Sequence, residues 1–122
     1  MPTPAVIYFY NHKEVPICCV AFLDKGYPNH LGISLATFLA MELRLAEQNI
    51  DMEELATLYV KTHDGCLVPP VRGEHGYPIY EYHVYKRHIR IVDTVSDRSH
   101  VSTYDDFMFD CYIWDNKRSD HH

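Results

Sequence analysis

The sequence predicts an α+β fold in the order ββ-αα-ββ-α, with a four-stranded antiparallel sheet of two hairpins and two or three helices packed on one face. Two pairs of short runs rich in β-branched and aromatic residues predict the strands, and two stretches with helical apolar spacing lie between the pairs. The 122 residues, 47% of them hydrophobic, have the length and composition of one globular domain. We expect that domain over residues 1–115 and a disordered tail over residues 116–122.

The first hairpin is predicted over residues 5–10 and 17–23, because both runs are apolar and aromatic and a polar loop ending in Pro16 separates them. Apolar side chains occupy consecutive positions in both runs, so each strand presents apolar groups on both faces of the sheet. This pattern predicts a sheet that is covered on both sides, or a sheet face that serves as an interface.

A turn at Gly26-Tyr27-Pro28 follows the hairpin and introduces the longest helix. Gly26 admits a positive φ, and Pro28 disfavours helical backbone at Tyr27. Asn29 is placed to cap a helix over residues 30–48.

A second helix is predicted after Asp51, whose side chain is placed to cap it, and Gly65 is placed to end it. Its apolar spacing predicts a buried stripe of four residues: Leu55, Leu58, Tyr59 and Thr62. The prolines and glycines of residues 66–78 predict a loop.

The second hairpin is predicted over residues 79–85 and 89–93, with a turn at Lys86-Arg87. That turn sets three cross-strand pairs: Val84 with Ile89, Tyr82 with Ile91, and His83 with Arg90. One face of the hairpin is therefore apolar and the other is polar. Residues 96–102 are expected to form a polar loop, and Ser102 or Thr103 to cap a short last helix.

The charge balance limits the classes of partner. A formal net charge of −6 disfavours broad binding to nucleic acid, which requires Lys and Arg against phosphate, and allows binding to a basic protein surface. No apolar run has membrane-spanning length, and the start of the chain lacks the pattern of a signal peptide. The cysteines do not have the spacing of a disulfide framework. We therefore expect a cytoplasmic protein that needs no cofactor.

A metal-dependent hydrolase is one alternative, with four potential ligands: His63, Asp64, Cys66 and His75. The competing interpretation is a helix C-terminus, because no Cys-x-x-Cys or His-x-x-x-His spacing occurs. A reactive thiol is a further alternative, and free cysteines are more often small core residues.

Two binding hypotheses use the second hairpin. Its basic residues beside Tyr85 would stack on and neutralise a nucleotide, which gives a small-ligand site at Lys86, Arg87 and Arg90. Tyrosines on rigid elements also anchor protein interfaces. The partner-binding hypothesis rests on four residues: Tyr27, Tyr85, His83 and Arg90. For Tyr27, an equally favoured alternative is that the ring packs under the following helix and fixes its entry. The apolar strands also allow a homodimer.

Three parts of the chain resemble a known family of proteins. They are the turn Phe22-Leu23-Asp24-Lys25-Gly26-Tyr27-Pro28, the helix residues Leu35 and Phe38-Leu39, and the strands Tyr80-Glu81-Tyr82-His83-Val84 and Ile89-Arg90-Ile91-Val92. The pattern resembles small bacteriophage proteins with a Gly-Tyr-Pro turn before a leucine-rich helix, from which it departs by the insertion of Lys25. The resemblance implies a phage origin and a protein that blocks a host enzyme or defence system by binding it. We therefore expect a non-enzymatic, inhibitor-type protein with a host protein as its partner.

Overall fold

The computed structural model describes residues 3–45, 51–63, 65–68 and 78–114. These residues form six strands, three α-helices and one π-helical segment, which confirms the α+β class. The strands are β1 (Ala5–Tyr10), β2 (Pro16–Phe22), β3 (Cys66–Val68), β4 (Tyr80–Val84), β5 (His88–Asp93) and β6 (Arg98–Thr103). The π-helical segment is Pro28–Gly32, and the α-helices are α1 (Ile33–Leu45), α2 (Met52–Thr62) and α3 (Phe107–Tyr112). Among the described residues, no helix is long and apolar enough to cross a membrane.

The sheet differs from the predicted one in size and direction. Its strand order is β3-β2-β1-β4-β5-β6, and the central pair, β1 with β4, is parallel while the other pairs are antiparallel. The prediction of a four-stranded antiparallel sheet is therefore wrong in these details. The two predicted hairpins are present, but the helical connection between them brings β4 beside β1 in the same direction.

Two strands lie in segments that we expected to be loops. β3 follows α2 and pairs with β2, and β6 pairs with β5 across a turn of residues 94–97. The Asp93 carboxylate accepts hydrogen bonds from the backbone N–H groups of Val95 and Ser96, and Asp97 takes a positive φ of 57°. β6 is polar because it is an edge strand, so its sequence lacks the apolar run that marks the inner strands.

The register of the second hairpin is confirmed. Val84 pairs with Ile89, Tyr82 with Ile91 and His83 with Arg90. The described helices pack on one face of the sheet, as predicted, over a core that includes Ile7, Phe9 and Tyr82. Every residue of β1 is buried, so the sheet is covered on both faces at this central strand, whereas Arg90 of β5 is exposed.

In the turn before α1, Gly26 is required because there is no room for a side chain, and not because of its φ angle. Lys25 takes the positive φ, at 58°, and the Asp24 carboxylate accepts the N–H groups of Thr3 and Lys25. These two bonds lower the pKa of Asp24 below its ordinary value. A Cβ on Gly26 would lie 2.4 Å from the Ala5 Cβ and 2.7 Å from the Thr3 carbonyl oxygen. Close approach to the start of β1 therefore requires glycine here.

The helix ends also differ from the predicted ones. The helical backbone begins at Pro28 after an extended Tyr27, whose carbonyl accepts from His30 and Leu31, so Asn29 is not the cap. At α2, the Asp51 side chain accepts the Glu53 N–H at 3.0 Å, which confirms the predicted N-cap. That helix ends at an extended His63 before it reaches Gly65.

The buried stripe of α2 is shifted from the predicted one. Leu55 and Tyr59 are buried as predicted, but Met52 and Ala56 are buried with them, while Leu58 is half-buried and Thr62 is exposed. The last helix does not have a side-chain cap of its own. The Asp106 N–H is instead held by the Thr103 carbonyl and hydroxyl oxygens, so Thr103 orders the turn that leads into α3.

We predict that Gly26→Ala lowers the free energy of unfolding by about 1–3 kcal/mol, because the added methyl group collides with Ala5 and with Thr3. Lys25→Gly is the matched control. This substitution removes the strain of a positive φ at a residue with a side chain, but it also makes the unfolded chain more flexible. Because the two effects oppose each other, the free energy of unfolding is expected to change by no more than about 0.5 kcal/mol. Urea denaturation of both variants measures the difference. The reverse order of stabilities would show that the contact of position 26 with Ala5 and Thr3 does not limit the size of its side chain.

Candidate functional sites

A chain of hydrogen bonds links three buried side chains on the face of the sheet opposite the helices. The Tyr10 hydroxyl lies 2.6 Å from His83 Nδ1, and His83 Nε2 lies 3.1 Å from Glu81 Oε1. A carboxylate only accepts hydrogen bonds, so with an ionised Glu81 and a neutral imidazole Nε2 donates to Glu81 and Nδ1 accepts the Tyr10 O–H. The parallel pairing of β1 with β4 brings the three groups together, because Tyr8 and His83 are register partners.

Stacked rings hold this network in place. The Tyr8 ring lies parallel to the His83 imidazole with a centroid distance of 4.8 Å, and Tyr10 stacks on Tyr85 at 4.2 Å. Tyr85 stacks in turn on His88 at 4.6 Å. We expected the side of β4 that carries Glu81 and His83 to be polar and open, but the two side chains are buried.

The order Tyr10, His83, Glu81 is that of a nucleophile, a base and an orienting acid. A nucleophile has to meet its substrate, whereas the Tyr10 side chain is 8% exposed. Buried polar groups that bond to one another fix which strands pair and in which register. We therefore interpret the three residues as a network that orders β1 against β4.

We predict that Tyr10→Phe lowers the free energy of unfolding by about 1–3 kcal/mol, because it leaves the buried His83 Nδ1 without this donor. Tyr112→Phe, which removes a hydroxyl from an exposed ring, is the control and has little effect. A double-mutant cycle of Tyr10→Phe with Glu81→Gln, followed by urea denaturation, tests the coupling through His83. Equal stabilities of Tyr10→Phe and Tyr112→Phe would contradict the network.

A polar groove of about 290 Å³ opens where β1 and β4 end. Its lining comes from the loop after β1, the start of α2 and the turn after β4: Asn11, His12, Asp51, Met52, Glu53 and Lys86. The Asn11 side chain accepts the N–H groups of Lys13 and Val15, which fixes the loop. Ligands of open sheets commonly bind at the carboxyl ends of parallel strands, which is where this groove lies.

The outer surface of α3 is apolar and exposed. Met108, Phe109 and Tyr112 are 40%, 63% and 71% exposed, and we call these three residues the α3 patch. The opposite side of the same helix buries Phe107 and Cys111 in the core. Because large exposed apolar side chains that cluster mark interaction sites, α3 is the main candidate for a docking surface.

The described cysteines do not have the properties of nucleophiles, which require a lowered pKa. Burial raises the pKa of Cys18. Burial, and then the charges of Cys18 and Glu81, raise that of Cys19 to about 12. Burial also raises the pKa of Cys111. Cys19 and Cys111 are therefore core residues, and Cys18 is half-buried against the core.

The metal alternative falls mainly outside the described residues, which do not include Asp64 or His75 and give only the backbone of Cys66. His63 is described, and its Nδ1 lies 2.8 Å from the Thr62 hydroxyl and 3.1 Å from the Tyr59 carbonyl oxygen. Its ring stacks on Tyr59 at 4.0 Å. Within the described part of the chain, no group of three metal-ligating side chains occurs.

The four residues of the partner-binding hypothesis do not form one surface. Tyr27 is half-buried at the start of the π-helical segment, near the beginning of β1, and its ring meets His30 edge-on. Tyr85, His83 and Arg90 lie towards the other end of the sheet, where His83 is buried and Arg90 is exposed. The structure thus places Tyr27 where a helix-entry residue belongs.

The basic residues of the ligand hypothesis also separate. Lys86 lines the groove, whereas Arg87 is exposed beside it in the chain and is not among the lining residues. Arg90 donates from Nη2 to the Ser99 hydroxyl at 3.3 Å on the neighbouring strand.

Our sequence reasoning missed the α3 patch. The signal was present, because residues 107–114 are apolar at every position except Asp110, and a short surface helix cannot bury all of its sides. Comparison of the chain with protein-family models, with curated proteins and with solved structures finds no match. The geometry of these sites is therefore the basis for any functional proposal.

Proposed function

We propose that this protein acts by binding another protein through the α3 patch. One observation supports the proposal: Met108, Phe109 and Tyr112 stand exposed on a helix of six residues whose other side is anchored in the core. Two of the three are aromatic, and aromatic side chains on rigid elements are typical interface anchors. Burial of each such side chain in a partner stabilises a complex by about 1.5–3 kcal/mol.

The contacts that hold α3 against the rest of the protein favour its use as a binding surface. The Asp110 carboxylate accepts the Ser102 hydroxyl at 2.7 Å and lies 3.0 Å from His100 Nε2, so α3 is bonded to β6. Beyond the helix, Trp114 is buried and the Arg98 guanidinium lies 3.9 Å from its ring centroid. A helix held in this way loses little conformational entropy when a partner binds.

The resemblance to bacteriophage proteins suggests a setting for this activity. In that setting the chain is a phage-encoded inhibitor that blocks a host enzyme or a defence system by occupying one of its surfaces. Its acidic net charge of −6 supports a partner with a basic surface.

We predict that a photo-reactive residue at position 109 forms one saturable cross-link in an extract of the cells that make the protein. The same residue at position 23 forms none, because Leu23 is 83% exposed but lies in a turn outside the α3 patch. Unlabelled protein is expected to compete for the cross-link. The double variant Phe109→Ser/Tyr112→Ser is expected to need a roughly 30-fold higher concentration for the same competition, because the loss of an anchor costs about 2 kcal/mol of binding free energy. Equal labelling from positions 109 and 23 would contradict the proposal.

A second candidate function is the binding of a small ligand such as a nucleotide in the groove, whose lining carries the cation Lys86 together with two carboxylates, Asp51 and Glu53. Lys86 supplies a cation at its wall, and the groove lies at the carboxyl ends of the parallel pair. His12, from the loop after β1, adds an imidazole to the same lining.

We predict that a thermal-shift screen with nucleotides gives a hit that Lys86→Ala abolishes and that Arg87→Ala retains. The two residues are neighbours with the same charge, but only Lys86 is among the lining residues. Loss of the shift in both variants would show that the screen reports net charge alone. A flat screen on the unmodified protein would remove this candidate.

A further inference from the structure

We infer that the partner seated on the α3 patch is a basic amphipathic segment of a protein, in which Lys or Arg residues flank an apolar stripe. The inference rests on the proposed function and adds the chemistry of the partner. It comes from the two acidic residues beside the patch, Asp105 and Asp106, which are both exposed.

The acidic residues border the patch because they lie directly before it in the chain. Asp105 lies in the turn that leads into α3, three residues before Met108, and both acids are exposed. Asp106 directly precedes α3, and its side chain does not make a capping hydrogen bond. A segment that covers the three apolar side chains therefore passes next to both carboxylates.

The two carboxylates are not used inside the described structure. Asp110, the third acid of this region, bonds inward to Ser102 and His100. In contrast, no described cation lies within ion-pair distance of Asp105 or Asp106, and neither side chain has a hydrogen-bond partner among the described residues. A partner that brought its own acids would add repulsion, whereas Lys or Arg at its rim would find two charges in place.

Charge also distinguishes this partner from a second copy of the chain. A second copy brings the same net charge of −6 and the same two acids to the contact. Like charges that face each other at an interface disfavour association. Nucleic acid is disfavoured by the same sign of charge.

The test uses two designed helical peptides of equal length with the same leucine stripe, one with lysines and one with glutamates on its polar side. Fluorescence anisotropy measures their binding to the full chain. The lysine peptide is expected to bind and to weaken with salt, and the glutamate peptide is expected not to bind. Asp105→Asn and Asp106→Asn each weaken binding about two- to fivefold, and Phe109→Ser/Tyr112→Ser weakens it by more than tenfold.

Asp97→Asn is the matched control, since it removes the same charge at the opposite end of β6, and asparagine tolerates the positive φ at that position. It is expected to leave the affinity unchanged. An equal effect of Asp97→Asn would mean that net charge alone attracts the peptide, and the inference would fall.

Other outcomes separate the inference from the proposed function. Binding of the glutamate peptide that Phe109→Ser/Tyr112→Ser abolishes would overturn the inference and leave the patch as a docking surface. A dimer in sedimentation velocity that the same double variant dissociates would make a second copy the occupant and overturn the inference. The inference would also be overturned if the double variant bound the peptide as tightly as the unmodified protein, or if no peptide bound at all. In either case, the cross-link at position 109 decides whether the proposed function is also wrong.

Discussion

The parallel pairing of β1 with β4 is the contact on which the rest of the structure depends. Five residue pairs join the two strands, and without them the six-stranded sheet would separate into two three-stranded halves. Every residue of both strands is buried, so the pairing removes apolar surface from water on both faces at once. Because the strands are parallel, the chain has to cross the length of the sheet between them, and α1 and α2 lie in that crossing.

The direction of this pair also decides where the remaining features lie. Near the starts of the two strands, Gly26 packs against Ala5, and the Tyr82 hydroxyl donates to the Gly26 carbonyl at 2.6 Å. Near their ends, the Tyr10 hydroxyl reaches His83, and the polar groove opens. The first set of contacts fixes the entry to α1, and the second fixes the register of the sheet. Tyr27 and Tyr85 consequently belong to different ends of the molecule, although the sequence allowed them to share a surface.

Residues with a local signal were predictable, and residues placed by distant contacts were not. The register of Val84 against Ile89 follows from one short turn, and the Asp51 cap follows from its neighbours, so both were predicted. Gly26 was recognised as part of a turn, but its close contact with Ala5 depends on a strand that lies earlier in the chain, beyond the reach of local sequence patterns. The parallel direction of β4 did have a signal, since β1 is an unbroken apolar run, as buried parallel strands are. β6 lacked such a run because an edge strand buries only part of its surface.

The composition of α3 requires an explanation beyond folding. Phe107, Cys111 and the nearby Trp114 are sufficient to attach the helix to the core, and Asp110 ties it to β6. Phe109 and Tyr112 add little to that attachment, because most of their surface faces solvent. Exposed aromatic side chains promote unwanted association, so the folded chain alone gains no advantage from them. Under the proposed function, a partner that buries them converts the same side chains into binding free energy, and the neighbouring Asp105 and Asp106 favour a partner with basic residues at its rim.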